Sequence, residues 1–93
     1  MKWEWDEKKN RANFNKHEVW FEEAQSIWAD AGSLEFFDPI HSDREDRFIR
    51  IGRSTRNRLL LVVFYERASC EVIRVISARK ATPSEKREYE EGI

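Results

Sequence analysis

The sequence predicts an α+β fold, an antiparallel β-sheet meander packed with N-terminal helices and a C-terminal helix, with residues 1–93 forming a single domain. Three observations carry this prediction. Apolar residues recur at three- and four-residue steps before residue 30, alternating and double-sided apolar runs fill the stretch from 47 to 79, and a helix-start signal follows at residues 82–85. A chain of 93 residues shares one core and buries roughly two-thirds of its unfolded surface, enough to fold without staples.

The opening WEW alternates and sets Trp3 and Trp5 on one face of a short strand. Asp6 stands where an N-cap belongs, and EKKNRANFNKH supplies good helix formers with little β-branching. Trp20, Phe21, Ala24, Ile27 and Trp28 describe a second, amphipathic helix with Glu22, Glu23 and Gln25 turned outward and Gly32 as its C-cap. Residues 33–45 contain Pro39 and several turn formers, which predicts a short strand followed by a loop. RFIRIGRS places Ile49 and Ile51 on one face of a strand and Phe48 and Arg50 on the other. TRNR is a turn, and LLLVVFYE, apolar on both faces, is a central strand. Arg67, Ala68 and Ser69 turn the chain into CEVIRVISAR, the last strand. Short connections imply antiparallel pairing throughout the meander. Thr82 as N-cap, Pro83 at N1 and Glu85 closing a capping box then start a final helix that is polar apart from Tyr89 and docks weakly or lies against a partner.

The single Cys70 cannot form an internal disulfide, which fits a reducing compartment and a role as a small core hydrophobe. MKWEWDEKKN is too charged for a secretory signal, and no apolar run approaches the roughly twenty residues that span a bilayer. The expectation is a cytoplasmic protein with no membrane partner. The net charge of −1 conceals an uneven distribution, because residues 44–80 hold ten Lys/Arg against four Asp/Glu. Phosphate binding responds to the local field of a patch, so this block admits a nucleic-acid partner as well as a plain Arg-rich sheet surface.

WEWDEKKNRANFNKHEVWFEEA, DPIHSDREDRFIRIG and RVISARKATPSEKREYEE, in that order and spacing, resemble the BrnT family of bacterial type II toxins over nearly the whole chain. The resemblance implies a RelE-like fold, ribonuclease activity, and a cognate BrnA-like antitoxin that neutralises the toxin and carries a ribbon-helix-helix part for operator DNA. Glu18 stands where that family commonly has Gly, and Trp20 where a smaller residue is usual. A left-handed backbone at Glu18 would cost on the order of 1 kcal/mol.

The residue types bear on the chemistry. The sequence has no Cys/His cluster and no paired carboxylates at metal-site spacing, so neither a metal nor another cofactor is expected. Metal-free RNA cleavage can use the substrate's own 2′-OH as nucleophile. It requires proton transfer to and from oxygen and cations to bear charge on phosphorus. His17, Arg79 and Arg74 are the catalytic candidates, and Lys16, His41, Arg50 and Lys80 the RNA-binding ones. Each has a plainer alternative: His17 as a helix-end cation, His41 as a turn residue, Arg74 as the partner of an acid, the Trp residues as core. A toxin of the same fold that binds a protein target, or a plain interaction module, are the rival readings. Strand parity sets one further condition. Arg74 shares a face with Val72 and Ile76, whereas Ser77 and Arg79 share the other, so Arg74 and Arg79 face one site only if the strand bulges near Ser77 or ends before Arg79.

Overall fold

The structure, a computed structural model, describes residues 1–67 and 71–92. The turn residues Ala68 and Ser69 and the core role expected for Cys70 lie outside the described residues. Five strands, β1 (Lys2–Glu4), β2 (Leu34–Asp38), β3 (Asp46–Arg53), β4 (Leu59–Arg67) and β5 (Val72–Lys80), form one sheet in the order β1-β5-β4-β3-β2. Strands β2 to β5 are the antiparallel meander, with β4 at its centre as its double-sided apolar run requires. The sheet as a whole is mixed, because β1 joins the β5 edge in parallel, Lys2 opposite Val72 and Glu4 opposite Arg74. No tight turn links these two strands. The chain between them runs through the entire meander, which is the long connection parallel pairing demands.

Helices cover both faces. On one, α1 (Glu7–His17) and α2 (Phe21–Gln25) lie over a core of Val19, Phe21, Ala24, Ile27, Leu60, Val62, Phe64, Ile73, Val75 and Ala78. On the other, Tyr89 of α3 (Pro83–Glu91) packs with Ile51, Leu61, Val63, Ile49 and Ile76. The caps follow the sequence: the Asp6 carboxylate accepts from the Lys8 N–H at 2.8 Å, and Thr82 and Glu85 form the reciprocal capping box of α3.

The second helix is shorter than its periodicity predicts. It gives way to a 3₁₀ turn at Ser26–Ala29, and Gly32 is not its C-cap. Asp30 dictates this ending. Its carboxylate accepts from Gly32 N–H at 2.9 Å, Arg53 N–H at 2.8 Å and Tyr89 O–H at 2.7 Å, joining the turn to β3 and α3. Burial alone would raise the Asp30 pKa, but these donors outweigh it and hold the carboxyl below its usual range. The last helix therefore docks on its own sheet, with Arg53 also lying over the Tyr89 ring. Gly52 lets the 3₁₀ turn approach β3, since a Cβ there would lie 2.9 Å from Ser33 Cβ and 3.1 Å from Ile27 Cβ.

Glu23, expected outward, is only 8% exposed. It accepts from Arg58 Nε at 2.9 Å and from Ser54 Oγ at 2.7 Å, with a further bond from Arg58 Nη2, so the buried charge is fully partnered. The buried side chains of α1 are polar too, Asn10 and Asn13. Asn10 Oδ1 accepts from Phe21 N–H at 2.8 Å, while its amide donates to Glu7 at 3.0 Å and Glu22 at 2.9 Å. Asn13 donates to the carbonyls of Val19 and Ala78, each at 2.8 Å, and accepts from Ala78 N–H at 3.1 Å. Beyond β1, where β5 has lost its neighbouring strand, this amide serves as the missing one.

Two predictions follow from these buried polar groups. Asn13→Ala leaves a strand-edge N–H and two carbonyls unpaired, so urea unfolding should show a loss of about 3 kcal/mol; a loss below about 1 kcal/mol would mean that water replaces the amide. The Arg58 fork first, and then Ser54, hold Glu23 below the usual carboxylate range. A depressed folded pKa stabilises above the unfolded value of roughly 4.3 and is lost as pH falls through the folded value. The stability difference between the parent and Glu23→Gln should therefore be largest near neutrality and shrink below about pH 4. A pH-independent difference in denaturation midpoints would contradict that linkage.

Candidate active site

One end of the sheet carries a cleft of ≈ 530 Å³ where the C-terminal turn of α1, the end of β5 and the start of α3 meet. Asn15, Lys16, His17, Glu18, Arg79, Lys80 and Thr82 line it. Local structure explains the convergence. Asn13 clamps α1 onto Ala78, so His17, one turn further along the helix, overlies the residues that follow Ala78 on the strand. Four of the seven site residues expected from the sequence, Lys16, His17, Arg79 and Lys80, thus come together from opposite ends of the chain.

The β4–β5 register shifts between Val63, opposite Ser77, and Phe64, opposite Val75, which leaves Ile76 as the extra residue of a bulge. Beyond it Ala78 turns to the α1 side while Arg79, opposite Leu61, faces α3. Arg74, opposite Tyr65, faces α3 as well. The parity condition is therefore met, but five residues of strand still separate Arg74 and Arg79 by roughly 16 Å.

Arg79 donates a fork to Glu85, Nη1 to Oε1 at 2.8 Å and Nη2 to Oε2 at 2.9 Å, and Nη1 also reaches the Lys80 carbonyl at 3.2 Å. The Glu85 bond, more than the opposing effect of burial, raises the Arg79 pKa, and the same bond lowers that of Glu85. Glu85 is also the capping-box residue, so one carboxylate fixes both the helix start and the guanidinium direction. Sequence reasoning identified the capping box but not this second use. A strand-end Arg six positions before a first-turn Glu is the spacing that signals it. Among the described residues, the side chains of Lys16, His17 and Lys80 have no ion-pair partner.

The other candidates lie elsewhere. Arg74 is near Glu4, Nη1 to Oε1 at 3.6 Å, beside the Arg67 ion pairs. Arg50 pairs with Glu35 at 2.7 Å and lies over the Trp28 ring at 5.1 Å. His41 bonds Asp38 at 2.9 Å and lines a separate cleft with Asp43, Arg44, Glu45 and Tyr65. That bond, first among several, lowers the Asp38 pKa. Glu18, which the sequence singled out for its backbone alone, adopts φ 58° and ψ 31° and is among the residues that line the cationic cleft. Among the described residues, no group of three or more His, Cys, Asp or Glu side chains is arranged to hold a metal ion, and no helix is long and apolar enough to cross a membrane.

A small α+β domain with lysine, arginine and histidine gathered in one open cleft has the make-up of a protein that works on a phosphodiester backbone. The chain belongs to the BrnT family: residues 5–85 match the family described as the ribonuclease toxin, BrnT, of type II toxin-antitoxin systems. It is also similar to the crystal structure of the Brucella abortus ribonuclease toxin, BrnT, with 27% sequence identity, a TM-score of 0.63, and coverage of 88% of this chain and 97% of that one. No curated protein matches the chain. The chain is accordingly a ribonuclease toxin, an endoribonuclease acting on RNA within a system that includes an antitoxin.

Glu18 is the residue least suited to its place, both for its left-handed backbone and for its charge. Glu18→Gly should raise stability by about 1 kcal/mol by removing the Cβ penalty. It should also tighten binding of single-stranded RNA at low salt, an advantage that fades as salt is added. Unchanged thermal midpoint and affinity would show that neither effect operates.

Proposed function

We propose that the Lys16–His17–Arg79–Lys80 cleft cleaves RNA without a metal, by attack of the ribose 2′-OH on the adjacent phosphorus. In this reading His17 takes the 2′-OH proton as the new P–O2′ bond forms. The P–O5′ bond breaks, the departing 5′-oxygen takes a proton from solvent water at the open cleft, His17 returns its proton to solvent, and a 2′,3′-cyclic phosphate remains. Arg79 donates to the phosphate oxygens and Lys16 and Lys80 add to the field around them. Glu85 orients rather than blocks Arg79: a guanidinium has five N–H donors, and the fork and the Lys80 carbonyl use three of them. The observation that carries the proposal is the meeting, in one cleft, of a histidine and three cations from both ends of the chain. Arg74, Arg50 and His41 lie outside this cleft and are given no role in the reacting centre in this reading. We further propose that the whole chain acts as one domain in the cytoplasm, arresting translation and growth. Its neutralising partner in this reading is a BrnA-like ribbon-helix-helix antitoxin, through which the complex would reach operator DNA.

His17→Gln and Arg79→Gln should each lower single-turnover RNA cleavage about a hundredfold, with thermal midpoints close to the parent. Arg87→Gln, on the exposed side of α3, should cleave at the parental rate. Cleavage by the parent should persist in EDTA and leave cyclic phosphate ends. Parental rates in Arg79→Gln would remove that residue from the site, and loss of parental cleavage in EDTA would overturn the metal-free route.

A further inference from the structure

Trp20 departs from the pattern of the other tryptophans. Trp3, Trp5 and Trp28 pack against the core, whereas Trp20 is 37% exposed and lies outside both core clusters. Its direction is nevertheless fixed, because its chain neighbours Val19 and Phe21 are both fully buried. Phe14 stacks on it in near-parallel geometry, with centroids 4.2 Å apart and an interplanar angle of 12°. Trp20 also lines a second cleft of ≈ 530 Å³ with Glu22, Glu23, Thr55 and Arg56. Phe14, which covers one face of the indole, is not among the residues that line that cleft.

We propose that this cleft is a subsite for a nucleobase of the RNA substrate, stacked on the free face of Trp20 and adjacent to the scissile phosphate. The inference rests on the ribonuclease reading of the neighbouring cleft and extends it by one nucleotide. Position supports it: Trp20 follows His17 by three residues, a separation of at most about 11 Å between Cα atoms. The left-handed Glu18 turn lies between the two clefts. The chemistry supports it as well. Glu22 in the lining would repel a phosphate but leave the uncharged face of a base unaffected, and Arg56 can meet the backbone at the rim. Single-stranded RNA is commonly held by unstacked bases on aromatic side chains, and the Phe14–Trp20 stack offers such a platform already assembled.

The test measures affinity for a short, non-cleavable 2′-O-methyl RNA in which one abasic site is walked along the strand, so its outcome does not depend on cleavage. For the parent, one abasic position should weaken binding about tenfold, within the range of a single base–aromatic stack. Trp20→Ala should bind the intact strand about tenfold more weakly and be insensitive to the abasic site at that position. Trp20→Phe should recover part of the effect, and thermal midpoints should remain near the parent. Parental affinity in Trp20→Ala, or a uniform loss across every abasic position, overturns the subsite. Loss of antitoxin binding with RNA affinity unchanged would instead make Trp20 part of the toxin–antitoxin interface, and also overturns it. Failure of the metal-free cleavage route would appear separately, in the EDTA experiment with the parent.

Discussion

The hydrogen bonds of Asn13 to Ala78 are the constraint on which the rest of the arrangement depends. Helix α1 brings no fully buried apolar side chain to the sheet; its buried residues are Asn10 and Asn13. It is therefore fastened by hydrogen bonds, whose geometry is far more exacting than that of grease. Asn13 supplies both a donor and an acceptor to the bare edge of β5, and a third bond reaches Val19 in the following turn. Because His17 lies one turn beyond Asn13 and Arg79 one residue beyond Ala78, the clamp that satisfies a strand edge also sets the spacing of the site.

Electrostatics acts on a larger scale. The excess of arginine between residues 44 and 80 looks like one positive patch along the chain, but folding disperses it. Arg58 goes to Glu23, Arg50 to Glu35, Arg47 to Asp38, Arg67 to Glu4 and Glu45, and Arg79 to Glu85. Most of these acids come from the acidic N-terminal half, so the two opposite imbalances in the sequence cancel in space. The uncompensated cations at the cleft include Lys16, from outside the arginine block, together with Lys80 at its end. A local charge sum thus left a nucleic-acid partner open but gave the wrong distribution of charge.

Arg79 shows how the two levels combine. The bulge at Ile76 turns it to the α3 side, and the capping-box carboxylate of Glu85 then holds it at the head of that helix. The cation that the sequence places at the end of a greasy strand is not free. Its partner fixes its direction at the edge of an open cleft, which is what preorganisation of a phosphate-binding donor requires.

Periodicity and end signals alone determined the elements: β4 by its two apolar faces, β3 by its alternation, α1 by Asp6 and α3 by Thr82, Pro83 and Glu85. Residue order and spacing alone also pointed to the family, and nominated Lys16, His17, Arg79 and Lys80 of the cleft together with Arg74, Arg50 and His41, which lie outside it. The sequence was silent or misleading wherever the deciding partner is distant in the chain. The burial of Glu23 depends on Arg58, the truncation of the second helix on Arg53 and Tyr89, and the parallel seat of β1 on β5. Whether Arg74 joins Arg79 was likewise decided by tertiary structure, because strand parity is local but the length of strand between two side chains persists after a bulge has turned them to one face. Local propensity acts over a few residues, and these outcomes depend on hydrogen bonds and ion pairs that form only when the whole sheet has closed.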